Sequence, residues 1–222
     1  RESCRKAGIP LAGGHSIDVP QPIFGLSVTG RVAIPELKKN GGAKPGDRLY
    51  LTKSLGIGIV ATAMKKGIAL PEDAHWAEET MAQLNHVGAD LASIEGVHAM
   101  TDVTGFGLVG HLHEMMTASD CSATLNYSAI PTYSKERLAD LYALGSMPTG
   151  TTKNYVTYYG QVSPVSGDQL FILFDPQTSG GLLIAVDPSS VAEVEACLRA
   201  SGNPVHAIGE VVEAANLRIL VE

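Results

Sequence analysis

Thr101-Asp102-Val103-Thr104-Gly105-Phe106-Gly107-Leu108-Val109-Gly110 reads as a strand end carrying a carboxylate, a tight glycine-rich turn and the first turn of a helix. Upstream, His98 to Thr101 fit a short strand. Downstream, Val109, Leu112 and Met116 recur at spacings of three and four, which marks one apolar helix face. Thr104 is the expected N-cap, and Gly105 and Gly107 leave the backbone bare where the helix begins. Unpaired N–H groups at such an end attract anions, phosphate above all. Asp102 is placed to hold a hard cation such as Mg2+ between protein and phosphate oxygens. A capped helix whose glycines serve only close packing fits the same residues, so this stretch alone leaves both readings open.

Composition narrows the classes. The 222 residues suffice for one large domain, or for one domain and part of another. An apolar fraction of 45% with 24 glycines indicates a packed, turn-rich globular protein. A net charge of -7 without a Lys/Arg block argues against nucleic acid as a partner. No apolar run reaches the length of a membrane span, and Arg1-Glu2-Ser3-Cys4-Arg5-Lys6 does not resemble a signal peptide. Cys4, Cys121 and Cys197 are too scattered for a zinc knuckle or a disulfide framework, so reduced thiols and a cytoplasmic location are expected. Because Arg1 opens what reads as a helix tail, the chain is expected to be a piece of a longer protein.

Residues 1 to 8 read as that helix tail, closed by Gly8. Pro10 to Asp18 read as an apolar strand running into a Gly13-Gly14 turn. The Gly13-Gly14-His15-Ser16 loop offers free N–H groups, an imidazole and a hydroxyl, all useful around phosphate, although a plain turn needs nothing more. Phe24 to Ile34 alternate as a half-buried strand. The polar run from Pro35 to Gly46 predicts a domain boundary, with residues 1–43 an incomplete first domain and 44–222 a second.

In the second domain, Arg48 to Lys53 is a strand, and a helix behind it carries Ile57, Val60, Ala61 and Met64 on one face. Lys53 is either an anion contact or a surface lysine. Pro71 opens a long helix with Glu72 and Asp73 in its first turn and a stripe of Ala77, Met81, Leu84, Gly88 and Leu91. Ser122 to Tyr127 read as a strand, Ser134 to Leu144 as a helix, and 145–168 as a long irregular segment. Leu170 to Phe174 and Leu182 to Val186 read as strands, joined by Asp175-Pro176-Gln177-Thr178-Ser179-Gly180-Gly181, a ligand loop or a rigid turn. Ser190 to Glu193 form a capping-box pattern at the head of a helix with Val191, Val194 and Leu198 inside. Val205 to Val212 and Leu217 to Val221 close the chain as strands. Interleaved helices and strands predict an α/β (α+β layered sandwich) fold.

Other catalytic templates fail. His111 and His113 sit two apart on a helix, about 200° around its axis, and do not share a metal. There is no Gly-x-Ser-x-Gly elbow and no Walker loop. Several phosphate-compatible turns around one well-placed Asp remain, which points to nucleotide or phosphate handling.

Five motifs occur here in one order: Ala12-Gly13-Gly14-His15-Ser16-Ile17-Asp18, Lys44-Pro45-Gly46-Asp47, Leu51-Thr52-Lys53, Thr101 to Gly107, and Asp175 to Gly181. Together they closely resemble the selenophosphate synthetases (selenide, water dikinases), within the aminoimidazole ribonucleotide synthetase-like superfamily. The resemblance runs over essentially the whole chain and matches the C-terminal two thirds of such an enzyme. It implies a C-terminal α/β domain preceded by a remnant of the N-terminal ATP-binding and dimerisation domain. It further implies ATP, selenide and water as substrates, selenophosphate, AMP and phosphate as products, Mg2+ as cofactor, and a homodimer whose ATP site is shared between subunits. In the family the Gly-His-Ser loop contacts ATP, a role that falls on Gly14, His15 and Ser16 with Gly13 shaping the turn. The Asp of the Thr-Asp-Val-Thr-Gly-Phe-Gly motif is a Mg2+ ligand, which falls on Asp102.

Ser54 stands where the family commonly has Pro, with little effect expected. The glycine-rich N-terminal segment that carries the family's Cys or selenocysteine is not in this chain, so no catalytic nucleophile is assigned and the chain alone is expected to be inactive. Two alternatives stand beside this reading. One is a related ATP-dependent enzyme of the aminoimidazole ribonucleotide synthetase or thiamine-monophosphate kinase type. The other is a non-catalytic scaffold or dimerisation module.

Overall fold

A computed structural model describes residues 1–222, which divide into two units, Arg1–Leu37 and Lys38–Glu222. The first unit holds α1 (Glu2–Lys6), Gly8 at φ +67° just beyond it, and a 3-10 turn at Ile34–Glu36. The strands expected at 10–18 and 24–34 do not form, and Gly13-Gly14 makes no turn. Their apolar alternation is real, yet Ile23, Phe24 and Ile34 are 72%, 90% and 88% exposed. A strand exists only where a neighbour takes up its backbone N–H and C=O groups, and this run has none.

The second unit is built on β1 (Arg48–Leu51), β2 (Val97–Asp102), β3 (Ser122–Leu125), β4 (Leu182–Val186), β5 (Ala207–Val212) and β6 (Ile219–Val221). They form one sheet in the order β2-β4-β1-β5-β3-β6, antiparallel throughout except for the β3–β6 pair. The helices are α2 (Ile57–Lys66), α3 (Pro71–Ala82), α4 (Val87–Ala92), α5 (Gly107–Ser119), α6 (Lys135–Ala143), α7 (Thr149–Tyr158), α8 (Asp168–Leu173) and α9 (Val191–Ala200). On one face Leu49, Leu51, Ala99, Leu183 and Ala185 pack with Ile57, Val60, Leu108, Leu112 and Phe171. On the other, Tyr50, Val97, Ile184 and Val186 pack with Val87, Leu91, Val194 and Leu198. Strand β4 is therefore buried on both sides, which is why it reads as an unbroken apolar run. The layered α/β expectation holds.

Several local expectations change, each because a residue distant in sequence decides the outcome. The long helix expected from Pro71 to Leu91 is two helices, broken at Gln83, whose ψ is 128°. Lys53, read as a surface or anion-binding lysine, is 3% exposed and closes the end of α3. Its ammonium donates to the carbonyls of Thr80 (3.2 Å), Gln83 (2.7 Å) and Ser179 (2.7 Å). A cation on the last carbonyls of a helix stabilises that end. Asp73 is a fully buried acceptor that binds the Leu70 N–H, the Tyr133 hydroxyl and the Arg137 guanidinium, so it ties α3 to α6. On α2 the buried residues are Ile57, Ile59, Val60 and Ala63, with Ala61 and Met64 only half-buried.

The segment 145–168, expected to be irregular, contains α7, and Leu170 to Phe174, expected as a strand, belongs to α8 and its end. Helix α7 has four Thr and one Gly among its ten residues, all poor helix formers, and is carried by tertiary contacts instead. The capping box at Ser190 is not made. Asp187 instead accepts from Ser189 N (2.9 Å) and Ser189 Oγ (2.6 Å) in a 3-10 turn before α9.

The start of α2 is capped from the other end of the chain. The Gln177 side-chain carbonyl accepts from Gly56 N and Ile57 N (3.3 and 3.2 Å), and Asp175 Oδ2 accepts from Gly58 N (2.9 Å). Asp175 is completely buried, and its Oδ1 has no partner. Burial raises its pKa to about 7, against the Gln177 amide and the Gly58 and Ile59 N–H groups, which lower it. Its folded pKa thus lies above the unfolded value, so the proton is held more tightly in the native state. The resulting stability is present below about pH 4 and is lost as the pH rises towards 7. Denaturant titrations at pH 4 and pH 7 are predicted to show a smaller loss across this window in Asp175→Asn than in the wild type.

Candidate functional site

Strands β1 and β2 both run antiparallel to β4, so the C-terminal ends of β1 and β2 and the start of β4 gather at one end of the strands. Asp102 is the last residue of β2, opposite Leu182, and is exposed. Its carboxylate accepts no hydrogen bond and enters no ion pair. The turn behind it is tied to the rest of the fold at several points. Val103 is buried and donates to Gly181 O (2.8 Å). The Thr104 carbonyl accepts from Gly107 N and Gln177 N, both at 3.0 Å. The Asn154 amide reaches from α7 and donates to Gly105 O (2.9 Å) and Phe174 O (3.0 Å).

Gly107 has φ +71°, and a Cβ there would lie 2.9 Å from the Phe174 carbonyl carbon. No other residue fits. The N-cap position falls on Phe106, without a side-chain cap, and the Thr104 hydroxyl pairs with His111 Nε2 (3.2 Å). This corrects the expected Thr104 cap. Gly107 through Gly110 are buried, so the head of α5 is not an open anion cradle. What faces solvent at this end is Asp102, Gly105 and the half-exposed Phe106 ring, which is tilted against His111 at 5.4 Å. Burial lowers the pKa of His111, with Glu114 and Asp102 pulling the other way.

The Asp175 to Gly181 loop is a rigid turn. Asp175 and Gln177 are committed to α2, and a Cβ on Gly180 would collide with the Val103 carbonyl. A Cβ on Gly181 would come within 2.5 Å of Lys53 N. Only Thr178 and Ser179 are exposed at the tip. Gly13, Gly14, His15 and Ser16 lie in the first unit, in an exposed run without regular structure, and a Cβ on either glycine would meet nothing within 4 Å.

Asp102 ends a strand just before the turn, as the sequence predicts, but the sequence does not mark Asn154 and Gln177 as the residues that hold that turn. The Gly150 to Asn154 segment and the Asp175 loop were the only hints. Asn154→Ala leaves the Gly105 and Phe174 carbonyls unpaired and is predicted to destabilise the chain by about 2 kcal/mol, read from chemical denaturation.

The family described as AIR synthase related protein, C-terminal domain, matches residues 44–222. A selenide, water dikinase of Yersinia pseudotuberculosis serotype I (strain IP32953) is 52% identical over 222 residues, covering 100% of this chain and 63% of that protein. A selenide, water dikinase of Photorhabdus laumondii is 49% identical over the same span and again 63% covered. The chain thus spans less than two thirds of the length of these relatives. Among solved structures, hydrogenase maturation protein HypE aligns with a TM-score of 0.61 at 18% identity, covering 83% of this chain and 50% of that one. Thiamine-monophosphate kinase from Stenotrophomonas maltophilia K279a aligns at 0.60 and 14%, covering 86% and 54%. These two likenesses establish the fold. From the family match over most of its length, the chain belongs to the AIR synthase related proteins, with residues 44–222 as their C-terminal domain.

Proposed function

We propose that this chain is the C-terminal part of a selenide, water dikinase, an enzyme that converts ATP, selenide and water into selenophosphate, AMP and phosphate. The observation that carries the reading is the identity of about half of all residues, over the full 222, with proteins of that name. In this reading residues 1–43 are the remnant of an N-terminal ATP-binding and dimerisation domain, and 44–222 are the C-terminal domain. Gly14, His15 and Ser16 contact ATP, with Gly13 in the same loop, in a homodimer that shares the ATP site and works in the cytoplasm. No helix of the chain is long and apolar enough to cross a membrane.

Asp102 is assigned as a Mg2+ ligand. The donor set fits: a hard carboxylate oxygen, exposed at a strand end and free of protein partners. Mg2+ is held by one or two carboxylates plus phosphate oxygens and water, so a single Asp from this domain completes a site built elsewhere. When bound, the metal supplies neutralisation of phosphate charge. The chain's own part is to hold Asp102 still, through Val103, Gln177 and Asn154.

The test is ATP consumption by the full-length protein with and without selenide, scoring AMP and selenophosphate. Selenide-dependent AMP is expected, and AMP or ADP formed only with another acceptor would contradict the reading. Asp102→Asn in the full-length protein is predicted to cut turnover by about a hundredfold or more with the melting temperature unchanged. The 222-residue chain alone is predicted to give no turnover.

A further inference from the structure

A second polar cluster lies at the opposite end of β2, roughly 13 Å along the strand from Asp102. Lys44-Pro45-Gly46-Asp47 is a type II turn, with Pro at its second position, Gly46 at φ +95° and Asp47 N donating to Lys44 O (3.0 Å). The Asp47 carboxylate is buried and accepts from Lys44 N (2.8 Å). It also meets His98 Nδ1 at 2.9 Å through both oxygens. The carboxylate can only accept, so Nδ1 donates, and the Lys44 ammonium, which can only donate, takes Nε2 as its acceptor. Two groups face the Nε2 lone pair, the Lys44 ammonium at 3.1 Å and Asp187 Oδ2 at 3.9 Å. Asp187 uses Oδ1 to hold Ser189, so Oδ2 is free. One ligand atom each from Asp47, His98 and Asp187 lies within 4.8 Å of the others.

We propose that His98 Nε2 and Asp187 Oδ2 form a binding site for a borderline divalent cation such as Zn2+, with Asp47 as the orienting carboxylate behind His98 and Lys44 as a tethered competitor. Three features carry this. A carboxylate behind the distal ring nitrogen is the arrangement that orients metal-bound histidines. A nitrogen lone pair and a spare carboxylate oxygen converge on one point, and a cation from the chain itself already stands beside them. Ligand atoms around one Zn2+ lie roughly 3.3 Å apart, so the 3.9 Å gap closes with a small movement of the partly exposed Asp187. Water completes the coordination, and Lys44 swings out to solvent.

The probe is Zn2+ itself, titrated by calorimetry into the untagged 222-residue chain with excess Mg2+ present to occupy hard-oxygen sites. His98→Ala and Asp187→Ala are expected to weaken binding by about tenfold or more, and Asp47→Asn by about tenfold. Lys44→Ala removes the competing charge and is expected to tighten binding by about fivefold, a change opposite to that of a site in which Lys44 merely braces the turn. Should His98→Ala disturb folding, the Lys44→Ala titration decides alone. Unchanged or weaker Zn2+ binding in Lys44→Ala overturns the proposal. So does binding that survives His98→Ala and disappears in His75→Ala, because His75 and Glu79 form an exposed pair one helical turn apart.

Discussion

The constraint on which the second unit depends is that three strand ends and a seven-residue loop meet in the interior, where every backbone donor and acceptor must find a partner. Thr52 N donates to Leu182 O and its hydroxyl accepts from Leu182 N, which closes β1 onto β4. Val103 N donates to Gly181 O, which closes β2 onto the same loop. Gln177 does the rest, with its N–H on the Thr104 carbonyl and its side chain on the start of α2. Lys53 adds three carbonyls from α3, the residue after it and the loop. Gly180 and Gly181 are the residues the loop must have there, since a side chain on the first would meet the Val103 carbonyl and on the second the Lys53 amide.

That network gives the candidate site its character. Around Asp102, Val103 N and the Thr104 and Gly105 carbonyls are bonded inside the protein, while the Asp102 carboxylate is not. The backbone that presents Asp102 is held at a strand end by this turn, so a cation taken there need order only the side chain. Asn154 belongs to the same scheme, because its two bonds lock the turn to the end of α8. Low intrinsic helix propensity in α7 is tolerated where the helix carries such an anchor.

Much of this was legible in the sequence. Strands β1, β2, β3, β4 and β5 were read near their true positions because their apolar runs are bounded by Gly, Pro or polar turns. Helices α2, α5, α6 and α9 were read from their stripes. What stayed hidden was set by partners far away in the chain. Nothing local marks Gln177 as the cap of α2, Lys53 as the cap of α3, or Asp73 as the acceptor for Arg137. Helix α8 is a short apolar run whose period does not separate helix from strand. The opposite error occurred in the first unit, where a valid alternating pattern lacks a neighbouring strand. At the site, Asp102 was legible from its motif, whereas the open helix end expected beside it was not realised, because Gly107 to Gly110 pack inwards.

The proposed role of the free carboxylate at the end of β2, as a metal ligand in the full-length protein, has a direct test. Anomalous diffraction from crystals of the full-length protein grown with Mn2+ and a non-hydrolysable ATP analogue addresses it most directly. An anomalous peak at about 2.2 Å from an Asp102 oxygen, shared with nucleotide phosphates, is expected. Metal and phosphates fully ligated by other residues, with Asp102 turned to solvent or to a protein partner, would contradict it.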